Sequence, residues 1–248
     1  VSSDHATQVP SGTGQREWTG VEPSVLVFDV NETLIDFESM SPLFERLFGD
    51  KRVLREWFGH LVMYSMTVTL SGLYEPYFSL GRGLLKMVGD IHGVKVTESD
   101  VDELETGMRG MPAHRDVEEG LTLLKDAGFR MVTLTNSPHI AGEPGPLERA
   151  GIDGYFERQF TIDTIRAYKP SHHAYHMVAQ DLGVPAASCL MVATHVWDTV
   201  GAESAGFSGG LVTRPGNALL PLPGLPQPHV VAGDLPGLAQ KLIERRRS

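Results

Sequence analysis

An acidic residue, Asp29, closes the short apolar run Ser24-Val25-Leu26-Val27-Phe28 and is followed at once by a polar cluster, Asn31-Glu32-Thr33. Other polar groups stand at the ends of later apolar runs: Thr135 with Asn136, Lys169 beside Pro170, and His195 with Asp198. Taken singly, an aspartate after a strand is commonly a turn former or helix cap, and a lysine beside proline is commonly a solvated loop residue. Taken together they form a chemical set. A carboxylate nucleophile needs a nearby cation to stay ionised, hydroxyl and amide donors to orient it, and a second acid to hold the cation. Asp29, Lys169, Thr33, Thr135, Asn136 and Asp198 supply those parts.

The elements that must position this set follow from hydrophobic patterning. Val25–Phe28 is apolar and rich in β-branched residues, as in a parallel strand buried on both faces. From about Met40 to Gly110 the apolar spacing is helical, as in Leu43, Phe44, Leu47 and Phe48, or Trp57, Leu61, Tyr64 and Val68. Strand and helix patterns then alternate. A helix over 118–127 stops at Gly128, and strands fall at 130–135, 160–162, 189–193, 210–213 and 229–232. Helices are expected at about 146–150, 172–182, 198–205 and 235–246. Such alternation implies right-handed crossovers and an α/β fold with a parallel sheet covered on both faces. Ligand sites in such sheets lie beyond the carboxyl ends of the strands, where the polar set falls.

The domain division expected is a disordered tail over 1–23, a sheet-bearing core from 24–39 and 111–248, and a helical unit over 40–110. The tail reading rests on a polar stretch rich in Gly, Ser and Thr that buries little apolar surface. The 248 residues are 41% hydrophobic, enough for a sizeable core. Net charge is −10 with a pI near 5.4, which argues against a broad basic face for nucleic acid or anionic lipid. No apolar run reaches the roughly 18–20 residues of a membrane span, and the first twenty residues lack the apolar stretch of a signal peptide. With its one cysteine, Cys189, the chain has no intrachain disulfide to form. A cytoplasmic location is therefore expected. His172 and His173 are adjacent, so they point differently on a helix and read as solvated residues. The proline-rich 221–228 segment reads as a loop between strands.

The runs Phe28-Asp29-Val30-Asn31-Glu32-Thr33-Leu34, Leu134-Thr135-Asn136-Ser137, Tyr168-Lys169-Pro170 and Ala193-Thr194-His195-Val196-Trp197-Asp198 resemble, in this order, the four motifs of the haloacid dehalogenase superfamily. Within it, Trp197-Asp198-Thr199-Val200-Gly201-Ala202 and Tyr175, six residues after Lys169, resemble the type II (S)-2-haloacid dehalogenases. The resemblance implies a Rossmann-like core with a helical cap inserted after the first motif, and a homodimer.

It also implies a mechanism. Asp29 displaces a leaving group from a small carboxylic acid, and water hydrolyses the ester at the Asp29 carbonyl. Lys169 keeps Asp29 ionised, Asp198 pairs with Lys169, and Thr33, Thr135 and Asn136 donate to Asp29 or to the substrate carboxylate. Tyr175 supports Lys169 or the pocket wall. Val30, Asn31, Trp57, Phe58 and Tyr64 are the expected substrate contacts, with His60 and Met63 beside them on the pocket lid.

Superfamily phosphatases resemble one another in an Asp-x-Asp first motif, whose second acid protonates the leaving alcohol and which works with Mg²⁺. Asn31 stands there and has no carboxylic proton. A departing halide needs none, so Asn31 favours metal-free substitution at carbon, and no cofactor is expected. The competing readings are a related hydrolase acting on a C–F bond or strained ring, and a Mg²⁺ phosphatase or phosphonate hydrolase. Three departures from the dehalogenase pattern stand out. Phe58 replaces the arginine that grips the halide, leaving Arg55, Arg82 and Arg109 as substitutes. His195 replaces an asparagine that orients water, which makes it a general base or a structural imidazole. Ala193 replaces a serine donor.

Overall fold

The computed structural model describes residues 21–140 and 142–247. Six strands form one parallel sheet: β1 (Val25–Phe28), β2 (Arg130–Thr135), β3 (Arg158–Thr161), β4 (Cys189–Ala193), β5 (Ser208–Val212) and β6 (Val230–Ala232), in the order β3-β2-β1-β4-β5-β6. Every residue of β1 and β4 is buried, as expected for central strands covered on both faces. Phe28 registers with Thr133 on one side and Val192 on the other. The chain leaves β1 toward β2 and later returns to β4 on its other side. The carboxyl end of β1 is thus the switch point at which open α/β sheets place ligands.

Helices α1 (Ser41–Phe48), α2 (Val53–Leu70), α3 (Tyr77–His92) and α4 (Glu98–Gly110) fill the interval between β1 and β2 and pack on one another. Thr97 and Asp100 form a reciprocal capping box that fixes the start of α4. The aromatic residues Phe37, Phe44 and Trp57 centre this block, with ring centroids 5.6–6.2 Å apart. Its α2 is 18 residues long and works on two faces. Leu54, Trp57 and Leu61 point into the block, whereas Phe58, Val62 and Ser65, at helical spacing, face the strand ends.

The remaining helices are α5 (Val117–Asp126), α6 (Pro146–Arg149), α7 (His172–Leu182), α8 (Val196–Ser204) and α9 (Leu235–Arg246). The sequence placed the start of α8 at Asp198, two residues late. His195 is the N-cap, and Asp198 lies in the first turn, where unpaired N–H groups and the helix dipole favour a carboxylate. The expected strand at 160–162 is instead Arg158–Thr161, with Ile162 already turning into a 3₁₀ segment. Of the expected tail, residues 1–20 lie outside the described residues. Pro23 is buried, and the Ser24 N–H donates to Ser188 O at 2.9 Å, so the folded core begins there.

Candidate active site

Asp29 is the first residue beyond β1, and its N–H donates to the Val192 carbonyl at 2.9 Å, tying it to β4. Its carboxylate is buried, and both oxygens accept hydrogen bonds. Lys169 Nζ donates to Asp29 Oδ1 at 2.9 Å, to Asp198 Oδ2 at 2.6 Å and to the Leu134 carbonyl at 3.0 Å, which accounts for all three of its protons. Thr33 Oγ1 donates to Asp29 Oδ2 at 2.7 Å and accepts from the Thr194 N–H at 3.0 Å. Thr33 can reach because the chain after Asp29 folds into a tight turn, in which the Val30 carbonyl accepts from the N–H groups of Leu34 and Ile35.

The lysine is aimed by its surroundings. Its own N–H donates to Asn136 Oδ1 at 3.0 Å, coupling the end of β2 to the Lys169–Pro170 turn, whose peptide bond is cis. Asp198 is fully buried in the first turn of α8, and Tyr175 on α7 donates its hydroxyl to Asp198 Oδ1 at 2.7 Å. Helix α8 approaches this closely only because position 201 is glycine. A Cβ there would lie 2.4 Å from Pro170 Cβ and 2.7 Å from the Tyr175 hydroxyl.

Burial opposes charge on each of these groups, and the partners decide the outcome. Asp29 is held well below the ordinary carboxylate range, since Lys169 and His195 outweigh its burial. Lys169 is raised because Asp198 and Asp29 outweigh its desolvation, so it stays charged at neutral pH. Asp198 is pushed up by burial and, less strongly, by the charge of Asp29, with Lys169 pulling against both. A buried ion pair is a weak source of net stability compared with an apolar core. Such a cluster at a switch point is better accounted for by chemistry.

On the other side of Asp29 lies His195. Its Nε2 is 2.7 Å from Glu32 Oε2, and its Nδ1 is 3.6 Å from Asp29 Oδ2, too long for a hydrogen bond. The ring sits between Phe58, at 5.4 Å between centroids, and Trp197, stacked at 5.2 Å. Burial lowers its pKa, but the two carboxylates prevail and raise it to about 9. Glu32 adopts the left-handed conformation, φ 67°, a strain of about 1–3 kcal/mol for a residue with a side chain. Arg55 and Asn217 hold its carboxylate, the latter donating from Nδ2 at 2.8 Å.

A small cavity opens at Asp29, lined by Asp29, Asn31, Phe58, Val62, Ser65, Tyr77, Asn136, His195 and Trp197. Of the residues singled out in the sequence, Asp29, Thr33, Lys169, Asp198, His195, Asn136, Asn31, Phe58 and Tyr175 come together here. Thr135 does not meet Asp29: its hydroxyl accepts from the Ser137 N–H at 3.1 Å and shapes the loop after β2. Val30 is buried outside the cavity lining. Trp57 belongs to the helical core, its indole N–H donating to the Gly81 carbonyl at 3.0 Å. Tyr64 pairs with the His60 ring, and Met63 is exposed.

Glu32, Val62, Ser65, Tyr77 and Trp197 lie outside the set of site residues singled out in the sequence. Positions 58, 62 and 65 share one helical face, so the periodicity of α2 carried a signal for Val62 and Ser65. None of the three substitute arginines lines this cavity. Arg55 binds Glu32 and Glu38, Arg82 binds Glu105, and Arg109 lines a separate hollow that shares Asn31 with this one.

A magnesium ion, as in superfamily phosphatases, needs several oxygen ligands around one point. The Asn31 amide instead donates to Ser137 Oγ at 2.9 Å, Glu32 faces His195, and Lys169 joins the two remaining carboxylates. Among the described residues, no group of three or more His, Cys, Asp or Glu is placed to hold a metal ion. The donor set does not fit magnesium.

The chain is 24% identical over 193 residues to (S)-2-haloacid dehalogenase H-109 of Pseudomonas putida, covering 77% of this chain and 86% of that one. It is 29% identical over 193 residues to a phosphoglycolate phosphatase of Colwellia psychrerythraea, covering 74% and 81%. The L-2-haloacid dehalogenase of Xanthobacter autotrophicus, solved with chloropropionic acid covalently bound, superposes with a TM-score of 0.77 at 22% identity, over 88% of this chain and 97% of that one. The haloacid dehalogenase-like hydrolase family model matches residues 23–206. That span runs from the start of β1 through α8 and takes in Asp29, Lys169 and Asp198, so the chain belongs to the haloacid dehalogenase-like hydrolases.

Proposed function

We propose that the protein is a metal-independent hydrolytic dehalogenase of small 2-haloalkanoic acids. The observation that carries this is the Asp29–Lys169–Asp198 cluster opening on a small cavity where Asn31 stands in place of a second acid. Asp29 attacks the carbon bearing the halogen from the side opposite the leaving group. The C–X bond breaks, the configuration inverts, and an alkyl ester of Asp29 forms. The Asn136 amide and the Tyr77 hydroxyl, both on the cavity wall, orient the substrate carboxylate. Phe58 and Val62 pack on its short alkyl chain.

Water then attacks the ester carbonyl carbon of Asp29. Lys169 stabilises the developing oxyanion through the oxygen that it already holds, and His195 takes the proton of the water. Collapse of the tetrahedral intermediate breaks the bond to the substrate oxygen and releases a 2-hydroxy acid, leaving Asp29 ionised.

The test is halide release from (S)- and (R)-2-chloropropionate in the presence of EDTA, with phosphate release from a generic monoester plus Mg²⁺ run alongside. Halide released from the (S) isomer, giving the (R)-hydroxy acid, is the expected result. Phosphate release that depends on Mg²⁺, without halide release, overturns the proposal in favour of a phosphatase.

A further inference from the structure

Six charged groups run through this site in alternation: Asp198, Lys169, Asp29, His195, Glu32 and Arg55. The consecutive contacts are 2.6 Å, 2.9 Å, 3.6 Å and 2.7 Å, and the last is the Glu32–Arg55 pair. Three acids face three bases, and the chain is neutral only when the imidazole carries a proton. Asp29, at its centre, is the acid that the proposed reaction would esterify. Esterification removes that negative charge and leaves Lys169 and His195 as neighbouring cations with no anion between them. Of the two, Lys169 keeps Asp198. An imidazolium proton is far easier to lose than a lysine proton.

We infer that Glu32 and His195 form a carboxylate–imidazole pair armed by the reaction itself, the imidazole losing its proton when Asp29 is alkylated and recovering one from the hydrolytic water. The inference rests on the Asp29 ester reading above. His195 is the catalytic residue, because its Nδ1 faces Asp29 and the cavity. Among the described residues that nitrogen is buried without a hydrogen-bond partner. Glu32 is the positioning residue. Its bond to Nε2 orients the ring and fixes Nδ1 as the nitrogen that exchanges the proton.

The groups facing His195 are few. Asp29 lies at the end of β1 and Glu32 on the turn after it, Phe58 comes from α2, and Trp197 from α8. Arg55 stands behind Glu32, and Lys169 lies across Asp29. The raised pKa of the resting imidazole agrees with a proton held there before reaction. The left-handed backbone at Glu32 is a strained conformation at the residue whose carboxylate meets the ring.

The cycle balances. In the first step Asp29 and the haloacid give ester and halide, and the imidazolium releases its proton to solvent. In the second step water adds to the ester carbonyl as neutral His195 accepts its proton. The products are the hydroxy acid, ionised Asp29 and imidazolium. One halide and one proton leave per turnover.

The experiment mixes 2-bromopropionate with wild type, H195Q, E32Q and D29N, following halide, hydroxy acid and intact protein mass. H195Q is expected to release one halide per site and then stall, with the added mass on the peptide bearing Asp29. E32Q is expected to give the same first halide, with ester hydrolysis slowed about tenfold to a hundredfold. In wild type, rapidly quenched samples are expected to hold more ester as pH falls from about 8 to about 5, because acid reprotonates the imidazole of the ester form. Structural damage would slow both steps together and would not split them. Steady turnover in H195Q, or equal loss of both steps in H195Q and E32Q with ester occupancy in wild type independent of pH, overturns the inference. Failure of the underlying reading looks different: D29N turns over, or adduct forms on a peptide without Asp29.

Discussion

The two flanks of Asp29 contrast sharply. On one, Lys169 is fully buried, spends every proton on a fixed acceptor, and is backed by Asp198 and Tyr175. On the other, His195 faces a cavity and has one ring nitrogen without a hydrogen-bond partner among the described residues. A saturated hydrogen-bond set holds a charge in place and leaves no room for exchange. An unsaturated one, beside space for substrate and water, is where a proton can come and go. In the proposed reaction the first flank sets the ionisation of Asp29, and the second is where the hydrolytic water is placed.

The sharpest way to break this contrast is to remove the saturated flank. Lys169→Met leaves two buried carboxylates without their cation, and breaking a buried pair from one side costs about 3–5 kcal/mol. Denaturant titration is expected to show that loss, and halide release to fall below detection. A Lys169→Met protein of wild-type stability would mean that the acids are solvated and the flank is not what it appears in the geometry.

The hydroxyl that bridges the flanks comes next. Thr33→Val removes the donor to Asp29 Oδ2 and the acceptor for the Thr194 N–H, leaving buried polar groups unsatisfied at about 1–3 kcal/mol. Both stability and the rate of ester formation are expected to fall. An unchanged rate would show that Lys169 alone orients the carboxylate.

The open flank makes its own statement in the pH dependence of stability. The folded pKa of His195, about 9, lies above the ordinary histidine value of about 6.5. Its contribution is therefore complete below about 6.5 and is lost as pH rises through about 9. The denaturant midpoint of wild type is expected to decline between those limits more than that of H195Q. Parallel profiles would remove the charge assigned to the imidazole. Asp29 has the opposite sign: its pKa is depressed, so its contribution is lost as pH falls below the ordinary aspartate range.

The smallest effect is at the back of the saturated flank. Tyr175→Phe deletes one hydrogen bond to Asp198 Oδ1 while keeping the ring, at about 1 kcal/mol. Activity is expected to drop only severalfold, since Lys169 keeps its three acceptors. A loss as large as that of Lys169→Met would make Tyr175 part of the charge-holding set in its own right.

Much of this site was legible in the sequence because several of its polar groups follow closely on the carboxyl ends of strands, Asp29 after β1, Asn136 after β2 and His195 after β4. Parallel strands deliver their ends to a common edge whatever the rest of the chain does. Asp29 was found that way, whereas Thr33, Lys169 and Asp198 were found through their place in the four ordered motifs. Thr135 was placed at the same edge and turned instead to cap its own loop, a choice between two nearby acceptors that spacing does not decide. Trp57 and Phe58 show the same limit on a helix. Periodicity says that α2 has two apolar faces, and only packing says that Trp57 stacks inward on Phe37 while Phe58 meets His195.

The sequence by itself determined the parallel α/β plan, the edge at which polar groups collect, and the aspartate–lysine pair proposed as nucleophile and its cation. These depend on local pattern and on the order of elements along the chain. The tertiary structure alone decided that Glu32 belongs to the site. Its left-handed backbone turns the side chain toward an imidazole 163 residues away, where Arg55 and Asn217 hold it. Conformation at one residue and partners remote in sequence are set by the assembled fold, in which burial makes an unpaired charge too costly to leave alone.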